Sequence, residues 1–266
     1  MSDLVEITKD NGVAHVELNR GEKYNALSQK MFAAIVEAGQ SLMHDESTRA
    51  VVLSGRGKGF CAGLDFSSFQ AMGNSDGNTP IDTGRQENIA NRGQMVGYVW
   101  KQLPMPVIAG IHGVAFGGGF QLSLGADIRI AAPDARFSVM EIKWGLIPDM
   151  SITQTFRELV RMDVAKELTF TGRVFDAPEA AELGIVTQVK DDPIQAALDM
   201  AQEIASKSPT AIRAGKKLFE ETWRSEPAHG FQLEESLQLG LIGSPNQVEA
   251  VKSNFENRPA NYKDIA

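Results

Sequence analysis

Three short segments of this chain carry residue types that can do chemistry. The first is His112-Gly113-Val114-Ala115-Phe116-Gly117-Gly118-Gly119, which lies between a predicted strand over 106–111 and a predicted helix through Leu122 and Leu124. Consecutive glycines leave backbone N–H groups unshielded by side chains. At the start of a helix those groups and the helix dipole favour negative charge, so the run reads as an anion or oxyanion site. The alternative is a tight turn that lets a helix pack closely on a sheet. No Lys-Ser or Lys-Thr follows the glycines, so this is not a phosphate-binding P-loop, and the spacing does not fit a dinucleotide fingerprint.

The second segment is Gly59-Phe60-Cys61-Ala62-Gly63-Leu64-Asp65-Phe66, which follows a predicted strand over 50–53. It too can present backbone donors at a strand-to-helix junction. Cys61 as a nucleophile would need a paired base, and none of the four histidines (His15, His44, His112, His229) stands in a recognisable cysteine-protease context. A packing role is the simpler reading of Cys61. The third segment spans 137–149 and places Glu141 among apolar residues. Burial there would raise its pKa and suit it to general acid or base work near neutral pH. An exposed glutamate on a turn is the plain alternative.

The elements that must position these segments follow from periodicity. Val5, Ile7, Val13, Val16 and Leu18 flank Asp10-Asn11-Gly12, and Asn-Gly is a strong hairpin signal. Met31, Phe32, Ile35, Val36 and Leu42 recur at helical spacing after Ser28. Short apolar runs at 50–53, 106–111 and 128–131 alternate with helical patterns, which predicts a parallel sheet with helices on its faces. After about residue 152 the pattern becomes helical over 152–170, 176–183, 193–207, 209–224, 229–242 and 244–256, with a strand over 185–189. Asp176 before Ala177-Pro178-Glu179 and Ser244 before Pro245 are helix start signals. The polar stretch 73–84, rich in Gly, Asn and Asp, reads as a surface loop.

Composition sets outer limits. A chain of 266 residues can bury a sizeable core. A formal net charge of −8 argues against a general nucleic-acid binder. The single cysteine cannot form an internal disulfide, which fits a reducing compartment. The sequence opens without a basic, then apolar, leader, and no apolar run reaches the ~20 residues of a membrane span. The expectation is a cytoplasmic protein that binds neither nucleic acid nor membrane.

Taken together, in this order, the segments resemble the enoyl-CoA hydratase/isomerase family, the crotonase superfamily. The resemblance runs through Asn25-Ala26-Leu27-Ser28, Phe60-Cys61-Ala62-Gly63-Leu64-Asp65, 106–119, Ala126-Asp127, Ala135-Arg136-Phe137, 141–148 and Leu168-Thr169-Phe170-Thr171-Gly172. It implies an α/β fold, the crotonase (ClpP-like) spiral of ββα units. A core over 1–200 would carry the acyl-CoA site, and a helical region over 201–266 would drive trimerisation, as a trimer or a dimer of trimers. The implied substrate is an acyl-CoA thioester of fatty acid metabolism. Coenzyme A is then part of the substrate, and no metal or other cofactor is implied.

Carried onto this chain, the resemblance makes the backbone N–H groups of Leu64 and Gly118 the donors that hold a thioester oxygen as it becomes an enolate. It places Ala26, Ala62, Leu64, Asp65, Phe66, Gly117 and Gly118 at the acyl-CoA pocket. Arg20 and Lys23 stand where they could meet phosphates. Phe255, Tyr262 and Lys263 resemble residues that reach a neighbouring subunit's ligand. Hydratases of the family use two glutamates, and this chain has Gln121 and Glu141 at those positions. Glutamine cannot exchange a proton at neutral pH. One base can still shuttle a proton between carbons, as in Δ3,Δ2-enoyl-CoA isomerases. Asp149 matches an aspartate of dienoyl-CoA isomerases, and a helix cap before Met150-Ser151-Ile152 is its other reading. The expected activity is double-bond migration, with Glu141 as base, Asp149 as partner, and Gln121 placing substrate or water. The alternatives are an enoyl-CoA hydratase (a lyase) and a catalytically impaired acyl-CoA binder.

Overall fold

A computed structural model describes residues 3–66 and 89–265. Strands β1 (Val5–Asp10) and β2 (Val13–Leu18) form an antiparallel hairpin whose register runs from Asp10↔Val13 to Val5↔Leu18. Its two-residue turn is Asn11-Gly12, at φ 48° and 81°. Both values are positive, the geometry that matches strand twist and that Asn-Gly adopts at little cost. Strands β3 (Ala50–Gly55), β4 (Val107–Ile111), β6 (Ile128–Ala131) and β9 (Gln188–Val189) continue the sheet in parallel from β2. A smaller sheet holds β5 (Val114–Phe116), β7 (Arg136–Ser138) and β8 (Phe175–Asp176).

Every residue of β3 and β4 is buried, as expected of strands covered on both faces. On one face lies α7 (Pro193–Ala205), whose Ala197, Ala201 and Ala205 repeat every four residues and meet Val13, Ala50, Val52, Ile108 and Ile130. The other face belongs to the larger core beneath α1 (Gln29–Met43) and α2 (Arg92–Gln102). These two helices touch at Gly39, where a Cβ would fall 2.6 Å from Val99 Cγ2, so only a glycine permits the approach. Ser28 caps α1 through the Met31 N–H, and Asn91 caps α2 in a reciprocal box with Gln94.

The short α3 (Gly118–Ser123) is fully buried and is anchored by Phe120. The Phe120 ring meets Phe137, Phe156 and Phe175 edge-on at centroid distances of 6.2, 5.6 and 5.9 Å. Phe137 and Phe175 stack at 5.7 Å across the small sheet. Edge-to-face pairs add modestly to the burial of such large rings.

The remaining helices are α4 (Ile152–Thr155), α5 (Met162–Thr171), α6 (Ala177–Glu182), α8 (Pro209–Thr222), α9 (Pro227–Leu241) and α10 (Pro245–Phe255). Asp176 and Ser244 cap α6 and α10 as their positions predicted. The helix expected over 152–170 is instead two, because Phe156 turns into the aromatic cluster and a turn closes from the Leu159 N–H to the Phe156 carbonyl. Periodicity persists through the break since Leu159 and Val160 still face the core. The strand expected over 185–189 shrinks to its last residues, since the N–H groups of Ile185 and Val186 both bond the Ala180 carbonyl at the end of α6. The domain boundary expected at 200/201 falls inside α7. The 73–84 stretch lies outside the described residues. Among the described residues no helix is long and apolar enough to cross a membrane.

Phe120→Ala is expected to cost about 3–5 kcal/mol of stability, the usual range for a deleted core aromatic. Urea denaturation checks this; a loss below about 1 kcal/mol would mean that the cluster does not anchor α3.

Candidate functional site

Both glycine-bearing junctions come together at one place. Cys61 forms a parallel bridge with Ala115, with the Cys61 N–H on the Val114 carbonyl (2.9 Å) and the Phe116 N–H on the Cys61 carbonyl (3.0 Å). Gly63 follows at φ 88° and Gly117 at φ 51°, both in the left-handed region that favours glycine. A Cβ on Gly63 would lie 2.6 Å from the Phe116 carbonyl oxygen and 3.5 Å from the Gly118 nitrogen. The first junction therefore presses directly against the second.

This contact brings the Leu64 and Gly118 backbones side by side. Leu64 bridges Leu27, but the ladder bonds use the Gly63 carbonyl (to the Leu27 N–H, 2.8 Å) and the Asp65 N–H (to the Leu27 carbonyl, 3.1 Å). The Leu64 N–H is left out of that ladder. Gly118 is the first residue of α3, so its N–H has no partner within the helix. Among the described residues neither N–H has an acceptor. Leu27 Cδ1 and Met150 Sδ close over Gly118, 2.9 and 2.8 Å from where a Cβ would stand.

Glu141 lies beside this pair, on a 3₁₀ turn over Met140–Trp144. Its Oε1 would be 3.3 Å from a Cβ on Gly117. Gln121, 1% exposed on α3, donates from Nε2 to Glu141 Oε1 at 2.6 Å. The Met150 N–H donates to Gln121 Oε1 at 2.8 Å. A backbone N–H can only donate, so this bond fixes which end of the amide faces Met150 and turns the NH2 toward Glu141. Glu141 Oε2 is buried with no protein partner among the described residues.

Burial is the main force on Glu141 and raises its pKa, the nearby Asp149 carboxylate adds to the rise, and the Gln121 hydrogen bond opposes it. Asp149 is exposed by surface area at the edge of the site, yet enough protein surrounds its carboxyl to raise its pKa as well. It is not the cap of α4. That position is held by Ser151, at φ 71° and without a side-chain cap bond, and its Oγ is buried without a partner. The reading of Asp149 as a helix cap is corrected accordingly.

The other expected residues are placed as follows. Ala26 offers its carbonyl, and the Ala62 N–H bonds the Tyr24 carbonyl at 2.9 Å, so both serve here through backbone. Phe66 is 65% exposed at the rim. Cys61 is fully buried, its thiol donating to the Asn25 carbonyl (3.2 Å) and pushed up to about 12 by burial, which removes it as a nucleophile. Arg20 does not stand free for phosphates: it is bound to Asp65 and to the Ala26 carbonyl. Lys23 is exposed. The tail folds onto its own chain, with Arg49 on the Tyr262 carbonyl and Asn246 on Lys263, while Phe255 is exposed. Sequence reasoning missed the roles of Met150 and Asn25. A signal for Asn25 existed in its type, since asparagine tolerates the left-handed backbone it adopts at φ 55°. Among the described residues no cluster of three or more His, Cys, Asp or Glu side chains could hold a metal.

Comparison with known proteins gives the same frame. The sequence profile of the family described as enoyl-CoA hydratase/isomerase matches residues 8–265. The human mitochondrial Δ(3,5)-Δ(2,4)-dienoyl-CoA isomerase is 34% identical, over 92% of this chain and 77% of that protein. The mouse mitochondrial methylglutaconyl-CoA hydratase is 31% identical, over 96% of this chain and 81% of its own. The crystal structure of an enoyl-CoA hydratase from Bacillus anthracis superposes with a TM-score of 0.85 at 31% identity, covering 98% of this chain and 99% of that one. With the family profile matched over residues 8–265 and a solved family structure superposed over 98% of its length, the chain belongs to the enoyl-CoA hydratase/isomerase (crotonase) family.

Proposed function

We propose that this member of the family moves a double bond along an enoyl-CoA, as an isomerase of the Δ3,Δ2-enoyl or dienoyl type. The observation that carries the proposal is the state of Gln121. Both ends of its amide are committed, one to Met150 and the other to Glu141 Oε1. Its amide carries no proton that it could exchange at neutral pH, so it is not a second acid, and the second N–H of its NH2 group remains available to place substrate or a water without proton transfer. Glu141, with one open oxygen, remains as the carboxylate beside the donor pair to act as base.

In the proposed mechanism the thioester carbonyl oxygen accepts from the N–H groups of Leu64 and Gly118. Glu141 Oε2 takes a proton from a carbon of the acyl chain, and the electron pair moves into the thioester as an enolate. Preorganised donors of this kind each lower a barrier by about 3–4 kcal/mol. The proton returns to a different carbon, directly from Glu141 or with Asp149 as its partner, and no atom is gained or lost. Ala26, Ala62, Asp65, Phe66 and Gly117 would form the near wall for the acyl-CoA. Coenzyme A arrives with the substrate, and the proposal calls for no further cofactor. Family relatives include both an isomerase and a hydratase, so water addition is the competing outcome.

The same reading extends to assembly and setting. Exposed Phe219, Trp223, Phe231, Leu239 and Phe255 on α8 to α10 support self-association through the C-terminal helices, as a trimer or a dimer of trimers. An acidic chain with a lone buried cysteine suits the cytoplasm, away from nucleic acid and membrane.

Glu141→Gln should lower solvent-deuterium exchange into an enoyl-CoA by about 10²–10⁴-fold while the Kd for a saturated acyl-CoA changes little. Exchange at the native rate would remove Glu141 from the mechanism. The pH profile gives a second check. Glu141 must be deprotonated to act, so kcat/KM should rise with pH through a limb above the ordinary carboxylate range. Gln121→Leu removes the bond that favours the charged form, so the limb should move further up. A downward move would contradict the role given to Gln121.

A further inference from the structure

We propose that Arg20 and Asn25 are positioning residues that hold the Leu64 N–H in place, acting through Asp65 and the 56–62 backbone; this rests on the oxyanion reading of Leu64 and Gly118. The Gly118 donor is built into β5 and α3, with the Gly117 N–H on the Ser138 carbonyl at 2.9 Å. The Leu64 donor sits outside any regular strand or helix, held by a single bridge to Leu27, and its position has to be imposed by the segment that carries Leu27.

That support comes from one neighbouring segment. Arg20 Nη1 donates both to the Ala26 carbonyl (2.9 Å) and to Asp65 Oδ2 (2.5 Å), so it ties the residue before Leu27 to the residue after Leu64. Asn25 is fully buried and spans the rest of the turn. Its Nδ2 lies 2.9, 3.0 and 3.0 Å from the carbonyls of Arg56, Gly59 and Phe60. Its Oδ1 accepts the Arg20 N–H at 2.8 Å. Tyr24 and Asn25 are consecutive non-glycine residues at φ 50° and 55°, a conformation that persists only where surrounding bonds over-determine it.

Charge makes the clamp more than a brace. The Asp65 carboxylate follows the Leu64 donor directly in the chain and shares the sign of the enolate that would form there. Arg20 neutralises it. The two side chains are only 21% and 13% exposed, so water screens neither well. Without Arg20, Asp65 would oppose the charge that Leu64 is placed to receive.

The test separates charge-developing from ground-state binding, using the full-length protein. Acetoacetyl-CoA ionises to an enolate that absorbs in the near ultraviolet, whereas butyryl-CoA probes binding alone. Wild type should bind acetoacetyl-CoA as its enolate; failure there would overturn the oxyanion reading and this inference with it. Arg20→Gln should lower the bound enolate fraction and kcat by about tenfold or more. Its Kd for butyryl-CoA should stay within about twofold. Arg20→Gln combined with Asp65→Asn should recover part of that loss, because the opposing carboxylate leaves with its partner. Arg20→Lys, which keeps the charge but not the fork, should fall between the two and serves if Arg20→Gln does not fold. Arg161→Gln, at an exposed ion pair with Asp163, is the unchanged control. With wild type behaving as stated, equal losses for both probes, unchanged kcat, or simple additivity in the double variant would each overturn the clamp.

Discussion

Two backbone N–H groups can share one carbonyl oxygen only if the segments that carry them approach more closely than side chains allow. Here Leu64 and Gly118 belong to two different segments, one following β3 and the other joining β5 to α3, and each has glycine where the other presses on it. Cys61 is hydrogen-bonded to the β5 edge in both directions, so the registry of the two turns is set by sheet-like bonding. Much of the surrounding structure preserves that meeting. The aromatic cluster under Phe120 holds α3, and the parallel sheet carries β3 and β4 into the two turns.

Once the donors are set, the acid–base chemistry depends on one amide. Gln121 grows from the same helix that begins with Gly118, so one short element places both the Gly118 N–H and the amide that bonds Glu141. The amide's direction is dictated by Met150, and it leaves Glu141 with one bonded and one open oxygen. Burial works against the charged carboxylate and the Gln121 bond works for it. These opposing effects leave a carboxyl that holds its proton more tightly than an ordinary glutamate, which suits the proposed proton removal from carbon.

Much of the fold was legible because its signals are local. Asn11-Gly12 specifies a hairpin turn wherever it occurs between alternating strands, and Ser28, Asp176 and Ser244 cap the helices they precede. The parallel sheet was readable from continuous apolar runs. That Leu64, Gly118 and Glu141 would come together was suggested by the glycine and carboxylate patterns together with the family resemblance, and the structure does bring them together. What was not legible depends on partners distant in sequence. Nothing near Gln121 announces that the Met150 N–H will fix its amide, and nothing near Arg20 announces Asp65. Asp149 resembled a cap because it precedes a helix, but α4 begins later, after Ser151 takes a left-handed turn. The break after Phe156 was invisible because both pieces face the same core.

The most direct measurement is mass-resolved chromatography of a 3-enoyl-CoA after incubation with the protein. An isobaric 2-enoyl-CoA without a water-added species is the expected result, since Glu141 can move the proton between carbons and Gln121 cannot act as the second acid that water addition uses. A product heavier by one water, formed at a rate comparable to isomerisation, would contradict single-base chemistry at this site.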